Sequence, residues 1–392
     1  LLDYGSEQVE ELIMPLGNAF RHQSYSADPP VARYERISPG PPQSALPRQT
    51  AASDVRRAWS DRGQSVILLV HGTFAGDDGF GLVGGLERLV PEWGDRLRAY
   101  GKQFVDEYVG QAGNYVEAYQ VAFQQLVDPT EQTIRVRRWC WSGENNHVGR
   151  ADAALELIET IAELVDNGAD HLMLWGHSHA GNVFALLTNL IAGPPDLIRQ
   201  FFRIVRPPRA EAAQRTSRWQ QWIRARRWIQ SPAARQLAAN LDIVTFGMPI
   251  RYGWETAGYR RLLHFIHHRP SPELPEYRVP FPVNWDDLVQ AKHGDYVQQL
   301  GIAGTDFFPM VPSWSKWRSD YRLSQMLAAN QPWFGTLDRL RAGQRVPDEG
   351  DTLLVDYAPY PDPFQRLLFG HAIYTHTAWL PFHLEQVIAR FC

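Results

Sequence analysis

The chain has 392 residues, 44% hydrophobic and 21% charged, with a formal net charge of −4. Enough apolar residue is present for a large packed core, which sets aside a disordered polyelectrolyte, and the slightly acidic balance argues against a nucleic-acid partner. No run of eighteen or more apolar residues exists, so no transmembrane helix is expected.

The first sixty residues hold Ala27-Asp28-Pro29-Pro30 and Ser38-Pro39-Gly40-Pro41-Pro42 and read as an extended arm ahead of one domain over 61–392. Ser65-Val66-Ile67-Leu68-Leu69-Val70 is the first strong strand, apolar enough for burial on both faces, and it runs into His71-Gly72-Thr73-Phe74. A second strand is expected over Thr133–Trp141, which makes Cys140 a small buried residue, and a helix over roughly Arg150 to Val165. Asp170 to His177 then forms a strand that breaks at Ser178 into a helical run. Further strands are expected at Leu241–Phe246, Arg261–His267 and Thr352–Asp356, with a closing helix from about Thr377 to Phe391. Strands alternating with helices predict a mostly parallel α/β sheet.

Two stretches interrupt the alternation. Residues 191–240 carry ten arginines against Asp196 and Glu211, with Trp219, Trp222, Ile223 and Ile229 near one helical face. This reads either as solvated helices covering the sheet or as a lid whose Trp and Arg side chains suit a lipid–water interface. Residues 269–350, rich in Pro, Trp and Tyr, read as a cap-like insertion that includes a strand-like run from Val297 to Ala303.

The chemistry centres on Gly176-His177-Ser178-His179-Ala180-Gly181. A serine at a sharp strand-to-helix turn with small residues around it is the sequence form of a nucleophile elbow, the mark of an α/β-hydrolase fold. Its hydroxyl needs a base and an acid in the chain order Ser, Asp or Glu, His. His371, between the last strand and the last helix, is the expected base, with His376 as competitor and His383 inside the helix. The acid is expected to be Asp295 or Asp306, with Asp295 preferred as nearer the sheet; Asp286, Asp287 and Glu273 are further candidates. The oxyanion hole would take one N–H from Phe74 or Thr73 and the other from His179. The histidines at 71, 177, 179, 264, 267 and 268 could suggest a metal site, but packing and the elbow account for them, so no metal and no cofactor are expected.

With these pieces assembled, the chain resembles bacterial α/β-hydrolases of the lipase/esterase type from about Val66 to Phe391. Leu69-Val70-His71-Gly72-Thr73-Phe74 resembles their oxyanion loop, and Trp139 to His147 resembles the segment before the elbow. Val244-Thr245-Phe246-Gly247-Met248-Pro249 and Gly370-His371-Ala372-Ile373-Tyr374 are similar to segments of class 3 lipases. In those lipases the acid directly follows the strand after Thr-Phe-Gly-x-Pro. Here that place reads His268-Arg269-Pro270, without a carboxylate, so the acid is sought in the second insertion.

The expected activity is hydrolysis of carboxylic esters with an apolar portion through an acyl-enzyme, on a small-molecule or lipid substrate, with lipid-interface contact through 191–240. A phospholipase, an acyltransferase and a membrane-binding protein without turnover are the alternatives. The chain opens on Leu1-Leu2-Asp3 and shows no signal peptide, which leaves cytoplasmic and secreted locations both open, and pairing of Cys140 with Cys392 is not readable from sequence.

Overall fold

Seven strands line up in one sheet in the computed structural model, which describes residues 19–24, 28–40, 59, 63–73, 114–281, 284–302, 314–327, 333–358 and 368–391. They are β1 (Tyr34–Ile37), β2 (Ser65–Val70), β3 (Ile134–Trp139), β4 (His171–His177), β5 (Leu241–Phe246), β6 (Arg261–His267) and β7 (Asp351–Val355). The order is β1-β7-β6-β5-β4-β2-β3, and every pairing is parallel. Every residue of β2, β4 and β5 is buried, the expected fate of apolar runs covered on both faces.

Alternation along each strand divides the interior into two cores. Val66, Leu68, Val70, Leu172 and Leu174 face a layer containing α2 (His147–Asp166) and α3 (Ala180–Ala192). Ile67, Leu69, Met173 and Trp175 face α1 (Glu117–Val127), with Tyr119 and Phe123, and the closing helix α12 (Leu380–Phe391), with Leu384 and Val387. This is an α/β fold with helices on both faces of a parallel sheet. Each fully buried Leu or Ile contributes roughly 1.5–3 kcal/mol.

Helix α2 starts at His147, three residues before the expected Arg150, because Asn146 accepts the Gly149 N–H at 2.6 Å and caps it. Helices α4 (Pro195–Ile204), α5 (Arg209–Gln214), α6 (Ser217–Ile229) and α7 (Pro232–Ala238) fill the first insertion. There α6 lies along α2, through Arg218 on Asp152 at 3.2 Å and Arg224 on Glu159. Trp222 is buried, donates to the Phe202 carbonyl at 3.0 Å and stacks on Trp219 at 5.2 Å. The second insertion carries α8 (Trp285–Val289), α9 (Tyr296–Leu300), α10 (Trp314–Leu327) and α11 (Trp333–Ala342).

Three local expectations are corrected. The arm contributes β1, which pairs with β7 over Tyr34–Ile37 and so belongs to the sheet. The run from Val297 is helical: the Asp295 carboxylate accepts the Gln298 N–H at 3.0 Å and starts α9, a choice that a short apolar run does not reveal. Cys140 is exposed, because β3 is an edge strand and ends at Trp139. Cys392 lies outside the described residues.

Candidate active site

Ser178 holds a left-handed φ of 56° between the end of β4 and the start of α3. For a residue with a Cβ that conformation is strained, and such strain persists only where the surroundings fix it. Here the Ser178 N–H is tied to the Phe246 carbonyl of β5 at 2.8 Å. The tightness of the turn explains its small residues. A Cβ on Gly176 would lie 2.3 Å from the Phe184 ring, and one on Gly181 would lie 2.4 Å from Met248 Sδ. Ser178 is fully buried, and its Oγ makes no hydrogen bond among the described residues. His179 follows as the N-cap of α3, so its N–H belongs to the helix end where amides lack intrahelical acceptors.

The loop after β2 runs against this serine. A Cβ on Gly72 would come within 2.6 Å of Ser178 Cβ and 3.2 Å of its Oγ. Trp141 fixes the loop from below: its N–H donates to His71 Nε2 at 3.1 Å and its indole N–H to the His71 carbonyl at 2.9 Å. With Nε2 accepting, His71 carries its proton on Nδ1 and donates to the Gly72 carbonyl at 2.7 Å. Thr73 is buried beside it, while Phe74 lies outside the described residues. β2 and β4 are neighbours whose chains leave in opposite directions, β2 toward β3 and β4 toward β5. The crevice outside the carboxyl ends of such a strand pair is where open α/β sheets hold ligands.

His371 arrives through Leu368, Phe369 and Gly370, three consecutive residues with φ of 51°, 56° and 88°. Its Nδ1 lies 2.7 Å from Asp295 Oδ2, both side chains fully buried. Its carbonyl is 3.1 Å from His177 Nε2, and the two rings are 4.3 Å apart, which sets His371 beside the elbow. The Asp295 carboxylate also accepts the Tyr374 hydroxyl at 3.0 Å and the Gln298 N–H at 3.0 Å. Burial pushes this carboxyl up, but His371, Arg345 and the Gln298 N–H outweigh it and hold it below its usual range. Gly247 makes room: its φ is 57°, and a Cβ there would sit 2.6 Å from Asp295 Oδ2 and 2.9 Å from the His371 ring.

The path of the chain explains how an acid from the insertion reaches the sheet. Gly294 forms an antiparallel bridge with His268, and Asp295 donates its N–H to the His267 carbonyl at 3.0 Å. Asp295 therefore stands at the end of β6, where His268-Arg269-Pro270 offers no carboxylate. Gly294, with φ of 93°, permits the approach, since a Cβ would fall 2.3 Å from the His267 oxygen. Buried Arg345 clamps the turn through the Asp295 carbonyl and Gln298 Oε1, each at 2.5 Å.

Other candidates stand elsewhere. Asp306 lies outside the described residues, Glu273 and Asp286 are exposed, and Asp287 pairs with Lys292 at 3.0 Å. His376 accepts the Ala378 N–H at 3.2 Å, and His383 meets the Tyr357 hydroxyl at 2.7 Å. His264 contacts Thr245 Oγ1 at 2.6 Å and His267 contacts the Gly370 carbonyl at 3.2 Å. Among the described residues no group of three His, Cys, Asp or Glu is disposed to hold a metal ion. Burial first, then the charges of Arg150 and Arg251, push the His179 imidazole well below its usual range. Tyr374 and Arg345 are the contributors that the sequence reading missed. Tyr374 had a signal, since it sits three residues after His371 in the segment already singled out; Arg345 had none.

Comparison with protein-family models, with curated proteins and with solved structures gives no match.

Proposed function

We propose that this chain is a serine-dependent carboxylic-ester hydrolase of the α/β-hydrolase fold. The observation that carries this reading is the buried Asp295–His371 pair at 2.7 Å, set beside a strained Ser178 at the end of an inner parallel strand. Ser178 Oγ attacks the ester carbonyl while His371 Nε2 takes its proton, and Asp295 holds Nδ1–H and stabilises the imidazolium that forms. The His179 N–H and an N–H of the loop after β2 receive the developing oxyanion, a role supported by the close approach of Gly72 to Ser178. Collapse of the tetrahedral intermediate expels the alcohol, which leaves with the proton from His371. Water, deprotonated by the same imidazole, then releases the acid and restores Ser178. This sequence of steps requires no cofactor.

The test is hydrolysis of a short p-nitrophenyl ester by the native protein and by Ser178→Ala. Activity in the first and its loss in a folded second is the expected result, and retained activity in the variant would sink the reading.

A second reading, a phospholipase working at an anionic lipid surface, is favoured by the groove between α4 and α6. It is lined by Arg199, Arg203, Arg206, Arg226 and Arg227, with Arg206 over the Trp219 ring and Arg226 over the Trp222 ring. Stimulation by anionic but not zwitterionic vesicles supports it, and equal rates on both exclude it.

A further inference from the structure

Arg150 is fully buried in the first turn of α2, a place that disfavours a cation three times over. Burial costs it hydration, the helix N-terminus presents partial positive charge, and no carboxylate pairs with it among the described residues. Its Nε donates to the Tyr252 hydroxyl at 2.9 Å and its Nη1 to Asn145 Oδ1 at 2.9 Å, while the guanidinium stacks 5.5 Å from the Tyr252 ring. Its Nη2 is buried with no hydrogen bond among the described residues. Asp320 reaches this corner but accepts the Val148 N–H at 3.0 Å.

A second cation stands close by. Arg251, 2% exposed, donates to the Ile302 carbonyl at 2.6 Å and lies 3.3 Å from His147 Nε2. His147 Nδ1 in turn lies 2.7 Å from the Tyr252 hydroxyl, so both arginines meet at that tyrosine. A chain of hydrogen bonds links the group to the elbow. The Tyr252 N–H donates to Asn182 Oδ1 at 3.2 Å, and Asn182 Nδ2 lies 3.2 Å from His179 Nδ1, one residue from Ser178.

We propose that Arg150 anchors an anionic oxygen group of the substrate, a carboxylate or a phosphate monoester, beside the ester that Ser178 attacks. The inference rests on the ester-hydrolase reading and narrows its substrates to esters carrying a negative charge a few bonds from the scissile carbonyl. A guanidinium fixed through Nε and Nη1 by Tyr252 and Asn145, with Nη2 left to donate, offers a charge-assisted hydrogen bond to such a group.

Two matched pairs of substrates test it, followed by acid release: monomethyl glutarate against methyl valerate, and monobutyryl glycerol phosphate against monobutyryl glycerol. The native protein is expected to prefer the charged member of at least one pair by about tenfold or more in kcat/KM, as one charge-assisted hydrogen bond allows. The pair that shows the preference names carboxylate or phosphate as the source. Arg150→Met should erase the preference, chiefly through KM, and Arg150→Lys, which keeps the charge but not the fork, should retain part of it if the methionine variant does not fold. No preference in either pair, or equal loss on charged and neutral esters in a folded variant, overturns the proposal. Calorimetry of monomethyl glutarate and glycerol phosphate with the Ser178→Ala protein reads the anion site without turnover. Binding that weakens in Arg150→Lys supports the proposal and absent binding overturns it, whatever becomes of the hydrolase reading. Labelling of Ser178 by a fluorophosphonate judges that reading separately.

Discussion

His371 Nδ1 and Asp295 Oδ2 stand 2.7 Å apart with no solvent exposure, although 76 residues separate them along the chain. An acid that holds only the Nδ1–H tautomer is what a base needs if its Nε2 is to take a proton. Asp295→Asn keeps the size of the side chain but turns an acceptor-only group into one that can donate toward Nδ1. The expected result is a loss of kcat of about 10³–10⁴-fold with the fold intact by circular dichroism. A loss below tenfold would remove Asp295 from the proposed mechanism.

Tyr374 holds that acid from the other side, donating to Asp295 Oδ2 at 3.0 Å and accepting the His267 N–H at 2.6 Å. Tyr374→Phe strands a buried N–H and leaves one carboxylate oxygen with a single partner. Urea unfolding should show a loss of about 1–3 kcal/mol, and kcat should fall with it. Unchanged stability would mean that the hydroxyl is not part of the network.

Gly247→Ala is expected to damage the site without touching a polar group. The residue has a φ of 57°, and the new methyl would lie 2.5 Å from the Tyr374 ring and 2.6 Å from Asp295 Oδ2. Backbone strain of about 1–3 kcal/mol adds to displacement of the carboxylate, and misplacement of that order costs about 10²-fold in rate. Thermal unfolding together with kcat/KM of the variant checks both parts, and native-like values of both would contradict the described packing.

Legibility in the sequence followed how locally each feature is determined. The strands β2, β4, β5 and β6 were readable because apolar runs buried on both faces carry their own signature, and Ser178 because its turn demands small neighbours at fixed offsets. The positions of Asp295 and His371 were narrowed by chain order, but their meeting depends on Gly294 folding back onto His268, a long-range contact with no periodicity to announce it. The same holds for β1, whose pairing with β7 joins residues more than 300 apart, and for Arg345, drawn from the far side of the insertion. The run after Asp295 reads as strand-like in the sequence because apolar and amide residues fit either period, while the cap that decides it is a side-chain hydrogen bond.

Acid should destabilise the protein well before its carboxylates titrate. Burial pushes His264 and His267 down to about 4, and His268 and His383 down to about 3. Each is neutral in the folded chain and charges once it unfolds, so its contribution is fully present above the ordinary value of 6.5 and is lost as pH falls toward the folded values. The slope approaches about 1.4 kcal/mol per pH unit for each such group. Urea midpoints at pH 7.5 and pH 5.0 check this, with a lower midpoint expected at pH 5.0; an equal or higher one would mean that these imidazoles are not buried neutral.

The central claim is that Ser178 is an activated nucleophile. A fluorophosphonate probe, which bonds covalently only to a serine whose proton is taken by a neighbouring base, measures this without knowledge of the substrate. Mass spectrometry of the labelled, digested protein is expected to find the adduct on Ser178, and to find none in Ser178→Ala or His371→Ala. A folded native protein that takes no label, or takes it on another serine, would contradict the account.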